Sequence, residues 1–245
     1  MKIITDNTVT LYDNLKPVII TSDHPNFAMV YNLASQDRLE EALEWANPRL
    51  VVEKSIADTN FELMGNDSLY YGNYKIPETL AIRIFDLLED GRSIKYLENF
   101  VVNLLENPSF RAVQELYSFL EVSALPITED GHFIAYKSVN YDYKDHFTGK
   151  MDNSIGAKPS MPRNTVDEDK DRTCSYGLHF ASYDYAIEFG PHDSHLMAVK
   201  INPRDVVAIP SDYNNQKGRA CTYEIVAEIE SKENELAETP LYIMD

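Results

Sequence analysis

The chain has 245 residues, 44% of them hydrophobic, enough to bury a full core in one large or two small domains, and no apolar run approaches the ~18 residues of a membrane helix. Acidic residues outnumber basic ones by 40 to 22, and the resulting charge of −18 argues against direct nucleic-acid binding, because gripping phosphates requires clustered Lys and Arg. The opening Met1 to Asp6 lacks the apolar core of a signal peptide, and Cys174 and Cys221 have no metal-site spacing, so the expectation is a reduced, cytoplasmic protein with structural thiols.

Residues 1 to 73 read as a mixed α/β module. Lys2 to Thr5, Thr8 to Tyr12 and Pro17 to Thr21 are short β-branched or apolar runs separated by turn residues, which predicts three strands. A helix is expected from near Pro25, carrying Phe27, Val30, Tyr31 and Leu33. A second should begin at Asp37, whose carboxylate would pair with Glu40 in a capping box, and stop before Pro48. Leu50 to Lys54, Phe61 to Met64 and Ser68 to Tyr71 read as further strands.

Residues 74 to 124 carry the helical period. Leu80, Ile84, Leu87 and Leu88 form one apolar face between Pro77 and Gly91; Ile94, Leu97, Phe100, Val101, Leu104 and Leu105 form the next, and Val113, Leu116, Tyr117 and Leu120 a third. Three amphipathic helices with short connections predict a small bundle.

From Pro126 the period changes to two. Ile127-Thr128 and His132 to Val139 flank Glu129-Asp130-Gly131, a hairpin turn with glycine where positive φ is needed. A polar stretch from Asn140 to Arg172 follows, of a length that is usually functional or mobile. Then come a strand at Leu178 to Phe180, a short helix capped by Ser182 and closed by Gly190, strands at His195 to Ile201 and Val206 to Ile209, and a last strand from Tyr223 to Ile229. The whole predicts an α+β protein: a mixed module over 1–73, a helical bundle over 74–124, a β-rich domain over 125–230 and an acidic tail over 231–245.

Several small clusters are weak as chemistry. Asp167-Glu168-Asp169 with Asp171 lacks the alternating spacing and glycine of a calcium loop, and His192 with His195 follows Gly190-Pro191 in what reads as a loop entering a strand, so no metal site is expected. Asp145-His146 offers an acid/base pair without an evident nucleophile. The phosphate-cradling glycine loop and the Gly-x-Ser-x-Gly elbow are both missing from the sequence.

Two resemblances concern function. The runs Leu125-Pro126-Ile127-Thr128-Glu129-Asp130-Gly131-His132-Phe133, Asp152-Asn153-Ser154-Ile155-Gly156, Cys174 to Ser182, Val199 to Pro210 and Tyr223 to Ile229 resemble the RIIB-like proteins of tailed phages, a lysis-timing or exclusion-protection family, over residues 74 to 229. The resemblance implies an early phage accessory protein that counters or retimes a host or prophage defence or lysis process, in company with a companion phage protein. The residues themselves offer no complete catalytic constellation, so the expected mode is binding of a host, prophage or companion phage protein, in the host cytoplasm or at the inner membrane through a partner, without turnover and without a cofactor. A second likeness lies in the order of Ala135-Tyr136-Lys137, a polar loop, Gly177-Leu178-His179-Phe180-Ala181, a short helix with Ala186, a strand, and Tyr223-Glu224-Ile225-Val226, which resembles the ADP-ribosyltransferase arrangement. That family splits a small sheet around a nicotinamide pocket. The likeness implies an NAD or nucleotide cleft formed by Tyr136, Lys137, Gly177, His179 and Glu224 under the 140–172 loop, with Glu224 as the catalytic carboxylate. Lys137 stands where a His or Arg is the rule and His179 where poly-ADP-ribose polymerases have Tyr, departures that favour binding over catalysis.

Overall fold

The computed structural model describes residues 1–229 except 14–15, 25, 47–51, 54–55, 66–67, 90–91, 192 and 212–215. It divides into two compact units, Met1–Ile94 and Lys95–Asp245, and the class is α+β with every paired strand antiparallel. Among the described residues no helix is long and apolar enough to cross a membrane.

In the first unit β1 (Lys2–Ile4), β2 (Thr8–Asp13) and β3 (Lys16–Thr21) form one sheet in chain order. Alternation puts Val9, Leu11 and Ile20 on its inner face, where they pack with Val30, Leu33 and Ala34 of α1 (Phe27–Ser35) and Ala42 of α2 (Leu39–Trp45). A second three-stranded sheet holds β4 (Phe61–Met64), β5 (Ser68–Tyr71) and β6 (Tyr74–Lys75), and α3 (Glu78–Glu89) follows it. Two expectations change. Asp37 does not cap α2: it takes φ +61° as the left-handed residue closing α1, with its own N–H on Ala34 O (3.2 Å) and that of Arg38 on Leu33 O (3.0 Å). The Lys2 ammonium, 2.7 Å from the Asp37 carboxylate, holds it there, and α2 starts from Arg38 instead. The strand expected at 50–54 is absent where it can be described, since Val52 and Glu53 are helical. Pro25 and Gly91, read as helix boundaries, lie outside the described residues, as does the tail from Glu230.

The second unit opens with α4 (Lys95–Leu105) and α5 (Phe110–Val122), the latter capped by Ser109, whose Oγ accepts from Ala112 N–H. Its sheet has six strands in the order β10 (Val206–Ala208), β11 (Lys217–Ala220), β8 (Leu178–Ala181), β7 (Phe133–Val139), β9 (His195–Ile201) and β12 (Glu224–Glu228). On one face Phe133 and Phe180 meet edge-on at 5.6 Å, and Phe119 of α5 meets Phe180 at 5.7 Å. On the other face α6 (Tyr183–Phe189), capped by Ser182, sets Tyr183 edge-on to Tyr136 at 5.2 Å. The hairpin before β7 turns at Gly131 with φ +74°, and a Cβ there would lie 2.2 Å from the Asn99 carbonyl carbon, so both backbone conformation and helix contact require glycine. Asn107, just past the end of α4, is buried, and its Nδ2 donates to Pro203 O (2.9 Å) and Val206 O (2.7 Å), tying the end of α4 to the start of β10.

Candidate functional site

The expected cleft residues all fall in the second unit, but the sheet does not gather them. Lys137 on β7 runs toward β8, its Nζ donating to His179 O at 3.2 Å and standing 5.9 Å from the Tyr223 ring centroid. Burial pulls its ammonium down from 10.5 to about 8, with the nearby Asp145 charge opposing. Tyr136 points to the opposite face, against Tyr183. Gly177, at φ +150°, lets β8 approach β11, since a Cβ would meet Val166 Cγ1 at 2.9 Å and the Arg219 side chain at 3.1 Å. Glu224 stands apart, paired with Lys158 at 3.1 Å on the exposed side of β12.

Register gives the distance. Ala181 pairs with Tyr136, which brings His179 level with Ser138; Glu224 pairs with Lys200, which pairs with Ile134. His179 and Glu224 share a face yet differ by three strand spacings and four residues, about 20 Å in all. β9 lies between β7 and β12, so the late Glu cannot join Lys137 and His179 around one small ligand.

The structure assembles a different arrangement from the 140–172 segment, expected as a cover. Asp145 organises its start: burial pushes the carboxyl pKa up, but donation from Thr148 N (2.6 Å), Thr148 Oγ1 (2.7 Å), Met151 N (2.8 Å) and Lys150 N (3.2 Å) outweighs it and holds the group at about 2. Next to it His146 Nε2 lies 3.0 Å from Ser138 Oγ, and its ring meets Phe189 of α6 at 5.9 Å. Burial, then the Lys137 charge, lowers the pKa of this imidazole. Tyr143 stacks on His195 at 4.2 Å, and both reach Glu228, through the Tyr143 hydroxyl at 3.0 Å and His195 Nδ1 at 2.6 Å. Asn153, fully buried, donates to Met151 O and accepts from the Tyr223 hydroxyl at 2.9 Å. Beyond it the chain runs along the β12 side: Gly156 N–H reaches Ile225 O, Ile225 N–H reaches Ala157 O, and Met161 N–H reaches Cys221 O. The segment is a strap fixed at many points.

The acidic run closes the same strap. Asp167 accepts from Ser175 Oγ (2.5 Å) and Asp169 N–H (2.9 Å), which holds its carboxyl at about 2. Arg219 on β11, fully buried, then donates to Arg172 O (2.7 Å) and Asp169 O (2.6 Å). Of the weighed histidine pair, His192 lies outside the described residues, while His195 serves Glu228 and Tyr141 O. Sequence reasoning missed β11 and with it Arg219, because Lys217-Gly218-Arg219-Ala220 neither alternates nor looks apolar, although all four residues are buried.

The Asp145 anchor makes stability depend on acid. Its folded pKa lies below its unfolded one, so its contribution is complete above pH ~4 and is lost as pH falls through about 2. Discounted for solvent screening, the effect is about 1 kcal/mol. Melting temperatures of the parent and of Asp145→Asn between pH 5 and 2 check this: the parent should lose more stability, and parallel curves would refute the anchor.

The fold defines an α+β protein built on antiparallel sheets, and comparison with known proteins fixes the family. The family model described as bacteriophage T4 protein rIIB matches residues 2–236, and the chain belongs to that family. Protein rIIB of Enterobacteria phage T4 is 44% identical over 207 residues, covering 84% of this chain and 65% of that protein, so the chain spans less than its whole length. No solved structure matches the chain.

Proposed function

We propose that this rIIB-family protein is an early accessory factor that counters or retimes a host or prophage process, acting in the host cytoplasm by binding a protein partner through the 140–172 strap and without chemical turnover. What supports the reading most is the strap's construction. A segment whose backbone is tied by Asp145, Asn153 and the β12 edge can present side chains in a fixed geometry, which lowers the ordering cost of binding. Transferase chemistry makes a stricter demand, a carboxylate close to ribose-positioning groups, and Glu224 lies about 20 Å from His179 by strand spacing.

The test uses phage carrying altered genes. Exchanging several exposed residues of 140–172 should abolish protection against the host or prophage barrier at an unchanged melting temperature, while Glu224→Gln leaves it intact. Loss of protection with Glu224→Gln in a folded protein, together with label transfer from NAD by the parent, would establish the transferase instead.

A further inference from the structure

The strap and α6 together display an aromatic rim at one end of the second unit's sheet. Phe147 is 93% exposed, Tyr141 73% and Phe189 58%, although each is carried on a fixed element. Tyr141 follows the end of β7 and its carbonyl accepts from His195 Nε2 at 3.2 Å. Phe147 follows His146, whose ring sits on Phe189, and Phe189 stacks on Tyr185 at 5.9 Å one helical turn earlier. Water-exposed rings held this way are costly to leave uncovered and are the usual anchors of an interface.

The charges around the rim select the partner. Asp142 borders Tyr141, Asp193 acts on His146, and Asp184 and Glu188 run along α6 beside Tyr185 and Phe189. All four carboxylates are exposed and, among the described residues, none is paired with a Lys or Arg. Of the cations nearby, Lys144 is 3.8 Å from Asp152 and Lys217 lies over the Tyr185 ring at 5.7 Å, so the four acids outnumber the cations around the rim. Anionic lipid and nucleic acid are repelled by such a surface. Guanidinium groups suit it, because each can lie flat on a ring while its planar fork reaches a neighbouring carboxylate, whereas an ammonium is a compact, strongly hydrated point charge.

We infer that the rim of Tyr141, Phe147 and Phe189, bordered by Asp142, Asp184, Glu188 and Asp193, docks an arginine-rich segment of a partner protein. This rests on the partner-binding reading above and adds the partner's chemistry and the residues that meet it.

The experiment titrates the full chain with fluorescent nona-arginine and nona-lysine at physiological salt. Nona-arginine should bind about tenfold more tightly than nona-lysine, and Phe147→Ser with Phe189→Ser should remove about tenfold of that affinity at unchanged net charge. Phe110→Ser, which removes an equally exposed ring at the start of α5, should change nothing. Equal affinity for the two peptides, or insensitivity to the rim changes, would mean diffuse attraction to a charge of −18 and would overturn the inference. The phage test of the strap is independent: protection lost on strap exchange, alongside a negative peptide result, would leave partner binding standing and remove only the arginine-rich partner.

Discussion

Replacing Arg219 by alanine is expected to destabilise the Lys95–Asp245 unit by about 3 to 5 kcal/mol. The side chain is fully buried, and its two terminal nitrogens hold the carbonyls of Asp169 and Arg172 at 2.6 and 2.7 Å. Hydrogen bonds from a charged donor contribute about 1.5 to 3 kcal/mol each, and truncation also leaves two carbonyls unsatisfied and a cavity between β11 and the 169–172 turn. Arg219→Met fills most of that volume without a donor and should recover only part of the loss. Arg219→Lys has one nitrogen in place of the fork and should fall between them. Urea unfolding followed by tyrosine fluorescence reads the order; a cost under about 1 kcal/mol for alanine would show that the turn does not depend on Arg219.

Arg219 also marks where the sequence stops being readable. α4, β7, β9 and β12 form within a residue or two of their expected bounds, because their apolar residues repeat at 3.6 or 2, and local signals such as Gly131 and Ser182 mark the turn before β7 and the start of α6. β11 has no such pattern: its cations are buried against partners distant in sequence, the Asp169 and Arg172 carbonyls and the Tyr185 ring under Lys217. Asp37 failed for the same reason, since a capping-box spacing and a left-handed helix end compete locally and Lys2, on β1, decides. The strap was visible only as a polar stretch. Asn153 and Tyr223 meet across 70 residues, and no spacing announces it. For the site, the sequence places Lys137 and His179 on strands that do turn out to be neighbours, while Glu224 required knowing that β9 enters between β7 and β12.

Lys137→Met should raise stability at pH 7 by about 2 kcal/mol, and this gain should depend on pH in a defined way. Lysine is ordinarily protonated to about 10.5, whereas burial beneath the strap brings Lys137 to about 8 in the folded chain. At pH 7 both states carry the proton, so folding bears the full cost of burying the ammonium, on the order of 3 kcal/mol, of which the bond to His179 O returns about 1. Between pH 8 and 10.5 the unfolded chain binds the proton and the folded chain releases it, so the parent's stability rises with pH and the advantage of methionine shrinks. Melting curves at pH 7 and pH 10 test both parts, and a methionine variant less stable than the parent at pH 7 would show that the ammonium is held favourably. The functional arm follows from the same energetics: a side chain retained at a cost in stability has a use that packing does not explain. A Lys137→Met protein that melts higher yet no longer protects its phage would assign that use to the amine, beside His179, Tyr223 and Asp145, whereas full protection would confine function to the strap's outer surface.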